Sequence, residues 1–374
     1  MRFHVLGIPH TVTGPEYNAC AFTQKVVKFC KMMSSRGHHV IHYGHENSVV
    51  ECSEHVTVTS DIVLQASYGD YDWKKGFFKH SASDLAHKVF TANTIIEVQK
   101  RKKSGDFLLC FWGVGHKEIA ESHLDMLIVE PGIGYPDTFA SFRIFESYAV
   151  LHGIMGKEAV SNCGHMRWYD VVIPNYFDPG DFEFKDSKKD YVLYLGRVYN
   201  GKGVDIAIQA TEIAGKKLVI AGQGGLDTLG LSEAPKHVEI FGYANKEDRK
   251  RLMSEASCLI IASQYNEPFG GVMVEAMMSG TPVVTVDWGA ATEIVKHGIT
   301  GFRCRNMDHF VWAIKNTGSI DPQACRDYAV SNYSLERISM MYEEYFQMLE
   351  DVRSAKGWYE IHSDRKDLNW LYKE

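Results

Sequence analysis

Short apolar runs alternate with stretches of helical periodicity along nearly the whole chain, and this alternation restricts the fold to α/β with parallel sheets. In the first half, residues 3–8, 39–43, 107–112, 126–129 and 171–173 read as buried strands. Residues 18–35, 84–102 and 141–155 carry helical patterns between them. The series restarts after a polar stretch. Strands are expected at 191–195, 217–221, 238–241, 259–263 and 282–286, with helices at 204–213, 246–256, 272–278 and 290–296. Residues 322–353 are helical throughout, and Met340, Met341, Tyr345, Phe346 and Leu349 recur at packing spacing.

A chain of 374 residues is long for one core. The break falls in the segment from Pro174 to Asp190, which holds Pro174, Pro179, Gly180 and a charge-rich end. Three units follow: 1–173, 174–334, and a helix and tail at 335–374 that return to the first domain. The aromatic end, with Trp358, Tyr359, Trp370 and Tyr372, is expected to dock on a domain surface.

Net charge is −7, which disfavours a mainly electrostatic grip on nucleic acid. The run Lys100-Arg101-Lys102-Lys103 reads as a solvated helix end. Eight cysteines are scattered without a Cys-x-x-Cys pair, as expected of reduced thiols in a cytoplasmic protein. Seventeen histidines show no metal-ligand spacing, so no metal is expected. The first residues read as a strand rather than a signal peptide, and no apolar run is long enough to span a membrane.

Chemistry concentrates at three strand exits in the second half. The strongest is Glu267-Pro268-Phe269-Gly270-Gly271 followed by Glu275 on a helix. One carboxylate precedes the glycines and one lies on the helix, whose N-terminal amides suit a phosphate. That layout fits a ligand with hydroxyls at both ends and phosphate in the middle, as in a sugar nucleotide. The second exit carries Arg197 and Lys202, five residues apart, which can clamp a diphosphate. Arg197 could equally pair with a buried carboxylate. The third, Ala221-Gly222-Gln223-Gly224-Gly225, could line a nucleotide. All three lie at the carboxyl edge of a sheet, where open α/β folds bind ligands.

With these segments in view, residues 191–303 resemble the donor half of the retaining glycosyltransferases of family 4. The likeness rests on Tyr194-Leu195-Gly196-Arg197 with Lys202-Gly203, Val219-Ile220-Ala221-Gly222 and Phe241-Gly242. It also rests on the Glu267–Glu275 stretch, Gly280-Thr281-Pro282-Val283-Val284, and Glu293 with Gly298-Ile299-Thr300-Gly301-Phe302. The resemblance implies the GT-B architecture, in which two Rossmann-like domains face a cleft and C-terminal helices pack back on the first. It implies that Arg197 and Lys202 hold the donor diphosphate and that Glu275 bonds the ribose. Glu267, with the amides around Phe269, Gly270 and Gly271, would orient the transferred sugar. No bound metal or other cofactor is implied.

The first half resembles the family only loosely. Its opening loop has a single glycine, Gly14, the candidate for close approach to the diphosphate. Where the family often places a histidine, this chain has Glu130. Glu130 or His116 could take that positioning role, and each could equally be a structural turn residue.

The expected reaction is transfer of a hexose or pentose, with retention, from a UDP- or GDP-linked donor to a hydroxyl. A sugar-nucleotide epimerase and a non-catalytic sugar-nucleotide-binding subunit are the alternatives. The acceptor stays open among glycan, lipid-linked sugar, small molecule and, less favoured, modified nucleic acid. A monomer or homodimer is expected.

Overall fold

The structure is a computed structural model that describes residues 1–76, 78–162 and 167–354. The expected docking of the aromatic tail lies outside the described residues. In the first half the elements run β1 (Arg2–Leu6), α1 (Ala21–Ser35), β2 (His39–His45), β3 (Glu54–Thr59), α2 (Asp61–Tyr68) and α3 (Leu85–Arg101). They continue with β4 (Phe107–Leu109), α4 (Lys117–Glu121), β5 (Leu127–Ile133), β6 (Phe142–Phe145), α5 (Tyr148–Asn162) and β7 (Asp170–Val172). The second half holds β8 (Tyr191–Leu195), α6 (Val204–Ala214), β9 (Lys217–Ala221), β10 (Val238–Gly242), α7 (Lys246–Glu255), β11 (Cys258–Ile261) and α8 (Gly271–Met278). It ends with β12 (Val283–Val286), α9 (Ala291–Ile294), β13 (Gly301–Cys304), α10 (Met307–Asn316), α11 (Pro322–Tyr333) and α12 (Leu335–Arg353).

Two parallel sheets result. The first has the order β3-β2-β1-β4-β5-β6-β7 and the second β10-β9-β8-β11-β12-β13. In each, the chain winds outward one way from the first strand, then crosses back and winds the other way. The crossing leaves a crevice between β1 and β4 and another between β8 and β11, beyond the strands' carboxyl ends. Each sheet is a Rossmann-like layer, as the strand–helix alternation predicts.

Several segments differ from the sequence reading. The expected helix at 141–155 is two elements: Phe142–Phe145 is a strand, and the helix starts only at Tyr148. Two residues separate them, with no glycine or proline to mark the join. Inside that strand Arg143 is fully buried, held by Asp170 and Glu158 (2.6 Å to Glu158 Oε1). A buried arginine paired with two carboxylates is a sheet residue only because tertiary structure brings the partners. The expected continuous helix at 322–353 breaks at Ser334, whose Oγ accepts the Arg337 amide at 3.2 Å and caps α12. The sequence reading also assigns no element to β3, α2, α4, β13 or α10.

α12 packs on the first domain. Phe346 meets Phe3 (4.8 Å between centroids) and Phe107 (4.9 Å), and Tyr342 meets Phe29 at 5.4 Å. Ile338, Met341 and Leu349 join the same core. Burying each such side chain contributes roughly 1.5–3 kcal/mol. The chain passes between the domains twice, side by side: the Phe177 amide donates to the Tyr333 carbonyl (2.9 Å) and the Leu335 amide to the Phe177 carbonyl (2.9 Å). The seven described cysteines are all free.

Replacing Arg143 with Met leaves the Asp170 carboxylate, 1% exposed, without its cation. The expected loss is about 3–5 kcal/mol, read from the urea unfolding midpoint; a loss below about 1 kcal/mol would contradict a buried ion pair at this strand.

Candidate active-site cleft

A cleft of about 840 Å³ runs between the two sheets' carboxyl edges. Its second-domain wall is assembled from the strand exits singled out in the sequence. β8 ends at Leu195 and turns through Arg197 to Lys202. This turn must pass close to its neighbours, and Gly203 and Gly222 permit it. At Gly203 (φ +68°) a Cβ would sit 1.9 Å from the Ala262 carbonyl oxygen, and at Gly222 (φ +149°) 1.9 Å from that of Gly196.

After β11 the chain reaches Glu267, which is 9% exposed. Its Oε1 accepts from Lys202 Nζ (2.5 Å) and from Ser263 Oγ (2.9 Å). Lys202 also donates to the Tyr265 hydroxyl. Burial and the Glu267 carboxylate push the Tyr265 phenol well above its usual range, so it stays protonated. Gly270, in the left-handed conformation, leads into α8, whose first turn lines the cleft. One turn on, Glu275 pairs with Arg249 of α7. Arg197 lines the same wall, its guanidinium 5.6 Å from the Tyr199 ring centre. Phe269 differs from the expectation in one respect. Its side chain is 2% exposed and stacks in the core against Phe177 (6.4 Å), so only its backbone can serve a ligand.

The first-domain wall departs from the sequence reading at three residues. Glu130 is fully buried and does not line the cleft. Its carboxylate accepts the Phe139 and Ala140 amides (2.8 Å each) and the Tyr135 hydroxyl (3.1 Å), which ties down the loop after β5. His116 is also fully buried. It accepts the Trp112 amide at Nδ1 (3.3 Å), meets the Gly7 carbonyl through Nε2 (3.0 Å) and stacks on Phe90. Burial lowers its pKa to about 3, so it is a neutral core imidazole joining the β1 and β4 exits. Gly14 turns its carbonyl to Gln24 Nε2 (3.1 Å) and the Tyr17 amide (3.2 Å), and it too lies off the cleft lining. Satisfied hydrogen bonds, which a sequence does not display, make these polar residues structural.

A different group faces the second domain. Lys25 of α1 is 7% exposed, and its ammonium lies 2.6 Å from Glu146 Oε2 and donates to the Gly132 carbonyl (2.8 Å). Asn175 Nδ2 donates to the same carboxylate oxygen (2.7 Å), while Asn175 Oδ1 is buried without a hydrogen-bond partner. Beside Glu146, a Cβ on Gly134 would lie 3.2 Å from Pro268 Cβ, so this cluster directly opposes the Glu267–Pro268 turn. Its signals were faint but present: Lys25 interrupts the buried face of an apolar helix, and Glu146 immediately follows a strand. Lys28, one turn on, extends over the Phe177 ring (4.1 Å), and burial lowers its pKa.

Outside the cleft, His45, Glu46 and Asp61 converge. His45 Nδ1 accepts the Asn47 amide (3.1 Å), which leaves its proton on Nε2, 3.3 Å from Asp61 Oδ1. Glu46 Oε1 accepts the Asp61 amide (2.8 Å), while His45 Nε2 is buried without a hydrogen-bond partner.

Two Rossmann-like sheets facing across such a cleft define the GT-B architecture. Residues 181–324, most of the second domain, match the family described as Glycosyl transferases group 1. The uncharacterized glycosyltransferase MJ1607 of Methanocaldococcus jannaschii is 34% identical over 172 residues, 43% of this chain and 42% of that protein. The chain thus spans less than half the length of the curated relatives it matches. AviGT4, a glycosyltransferase involved in avilamycin A biosynthesis, superposes with a TM-score of 0.65 at 18% identity, covering 93% of this chain and 97% of that one. Anabaena Alr3699/HepE, solved with UDP and glucose, gives 0.63 at 16% identity, covering 95% and 100%. Among the described residues no helix is long and apolar enough to cross a membrane.

The neutral buried imidazoles predict acid sensitivity. Burial lowers the pKa values of His10, His42 and His116 to about 3. Below about pH 6.5 the unfolded chain takes up protons there that the native state refuses, so stability falls as pH falls from 6.5 toward 3. Each group contributes up to about 1.4 kcal/mol per pH unit in that window. Urea midpoints measured from pH 7 to pH 5 should fall steadily; a flat profile would remove the assignment.

Proposed function

We propose that the chain is a retaining glycosyltransferase that moves a hexose or pentose from a UDP- or GDP-linked donor to an acceptor hydroxyl. The observation that carries this reading is the convergence of Arg197, Lys202, Glu267, Glu275 and the first turn of α8 on one wall of the cleft. The family of the second domain supports sugar transfer. The complex of Alr3699/HepE with UDP and glucose supports a uridine nucleotide as the first donor to try.

Arg197, Lys202 and the α8 amides meet the negative charge that grows on the leaving diphosphate. They need no metal ion for that task. Lys202 is held ready by Glu267 and Tyr265, and it can turn to a phosphate oxygen without a large movement. Glu267, fixed by Ser263 and Lys202, offers its second oxygen to the hydroxyls of the transferred sugar. Glu275 accepts from the ribose hydroxyls, with Arg249 setting its orientation. Retention follows if the acceptor hydroxyl attacks from the face that the diphosphate leaves, its proton passing to the departing phosphate oxygen. Such a route uses no strong protein base, which suits a wall rich in phosphate-binding groups. Glu146, held by Lys25 and Asn175, takes the acceptor-facing position that Glu130 does not occupy. Closure of the domains excludes water and so limits donor hydrolysis.

Two variants test the two walls. Glu275→Ala should weaken UDP or GDP binding at least tenfold in a calorimetric titration; unchanged affinity would sink the donor assignment. Glu146→Gln should leave nucleotide affinity within about twofold but lower kcat for transfer by about 10²-fold, as expected for loss of one positioned polar group. Equal kcat would remove Glu146 from the reaction. Incubation with donor alone, followed for isomerised sugar, separates transfer from epimerisation.

A further inference from the structure

Beyond Glu146 the first-domain wall continues as a set of rings that the donor reaction does not use. Lys25 Nζ lies 5.0 Å over the Phe22 ring, and Phe22 meets Trp112 edge-on at 4.9 Å and 84°. Trp112 meets His10 at 4.9 Å and His80 edge-on at 5.3 Å and 81°. His10 stacks on His80 at 4.7 Å and approaches Phe78 at 6.0 Å. All five rings line the cleft.

The set is rigid where it matters. The Trp112 indole N–H donates to His87 Nε2 (3.0 Å), which leaves the His87 proton on Nδ1 for Asp84 Oδ1 (2.8 Å). Asp84 in turn accepts from the Tyr68 hydroxyl (2.6 Å). This relay fixes the indole plane from behind. His10 is 4% exposed, and its Nδ1 is buried with no hydrogen-bond partner. A buried polar nitrogen left unpaired at the cleft wall marks a place for a ligand atom.

We propose that Phe22, Phe78, His10, His80 and Trp112 form a subsite for one sugar ring of a neutral saccharide acceptor. The proposal deepens the transferase reading and rests on it for the word acceptor. Three properties select the ligand. None of the five rings carries formal charge at neutral pH, since burial keeps His10 unprotonated, so an anionic group finds no partner among them. Trp112 meets Phe22 and His80 nearly at right angles and forms a corner with them. A flat nucleobase needs parallel faces to lie between, whereas a puckered sugar presents C–H groups on two sides and fits a corner. A hydroxyl both donates and accepts, so it satisfies a neutral imidazole nitrogen in either tautomer. The position beyond Glu146 places the rest of a bound saccharide on the way to the reacting sugar.

Saturation-transfer difference NMR on the full chain tests this. The probes are the methyl glycosides of glucose, galactose, mannose and N-acetylglucosamine, with UDP, GDP and cytidine in parallel. At least one glycoside should show saturation of its ring C–H protons. That signal should fall at least fivefold in Trp112→Ala and in His80→Ala, a change at an exposed side chain, and should persist in Glu275→Ala. Nucleotide signals should do the reverse. No glycoside signal alongside a clear nucleotide signal overturns the subsite and leaves the donor assignment standing. A glycoside signal indifferent to both ring variants also overturns it, as does cytidine displacing the glycoside. Absent nucleotide signals, or nucleotide signals that Glu275→Ala does not reduce, overturn the donor assignment instead.

Discussion

The two domains are held in register by a helix cap that crosses between them. Both oxygens of Glu293, in the second domain, accept the first amides of α5 in the other: Tyr148 at 2.9 Å and Ala149 at 2.8 Å. A carboxylate at a helix N-terminus satisfies orphan donors and meets the positive end of the dipole. Next to it, Ser147 Oγ donates to the Pro268 carbonyl at 2.5 Å. Ser147 follows Glu146, and Pro268 follows Glu267. One seam therefore fixes the carboxylate on each wall relative to the other, and the opening of the cleft depends on it.

Charge in the cleft is arranged in pairs. Lys202 rests on Glu267, Arg249 on Glu275 and Lys25 on Glu146. Each cation stabilises a carboxylate that would otherwise be costly to keep largely buried. The same pairing holds the polar groups at fixed places before a ligand arrives, which lowers the cost of ordering them on binding. A second crossing contact, from the Tyr243 hydroxyl to Asn18 Oδ1 at 2.7 Å, closes the far end of the cleft.

How far the chain could be read in advance depends on where each contact is made. β8, β9 and α8 were legible because apolar period and glycine breaks are local, and their limits differ from expectation by a residue or less. The strand Phe142–Phe145 was not, because it runs into α5 with no turn residue between and contains an arginine that only Asp170 and Glu158 make tolerable. Glu130 and His116 follow apolar runs and read as strand-exit residues, but Glu130 lies within β5 and His116 ends a short turn after β4. Their surroundings turn them inward and satisfy them.

The sequence by itself determined the alternating α/β order and the grouping of residues on the second-domain wall of the cleft. That wall is built within one stretch of chain, from Arg197 to Glu275, so local spacing already carries its geometry. The tertiary structure alone decided the opposite wall. Lys25, Glu146, Asn175 and the rings around His10 and Trp112 come from separate elements across the first domain, and nothing in their spacing links them. Parallel sheet topology gathers them at one edge, because successive strands of a doubly wound sheet deliver their exits to the same side however far apart they lie in the chain.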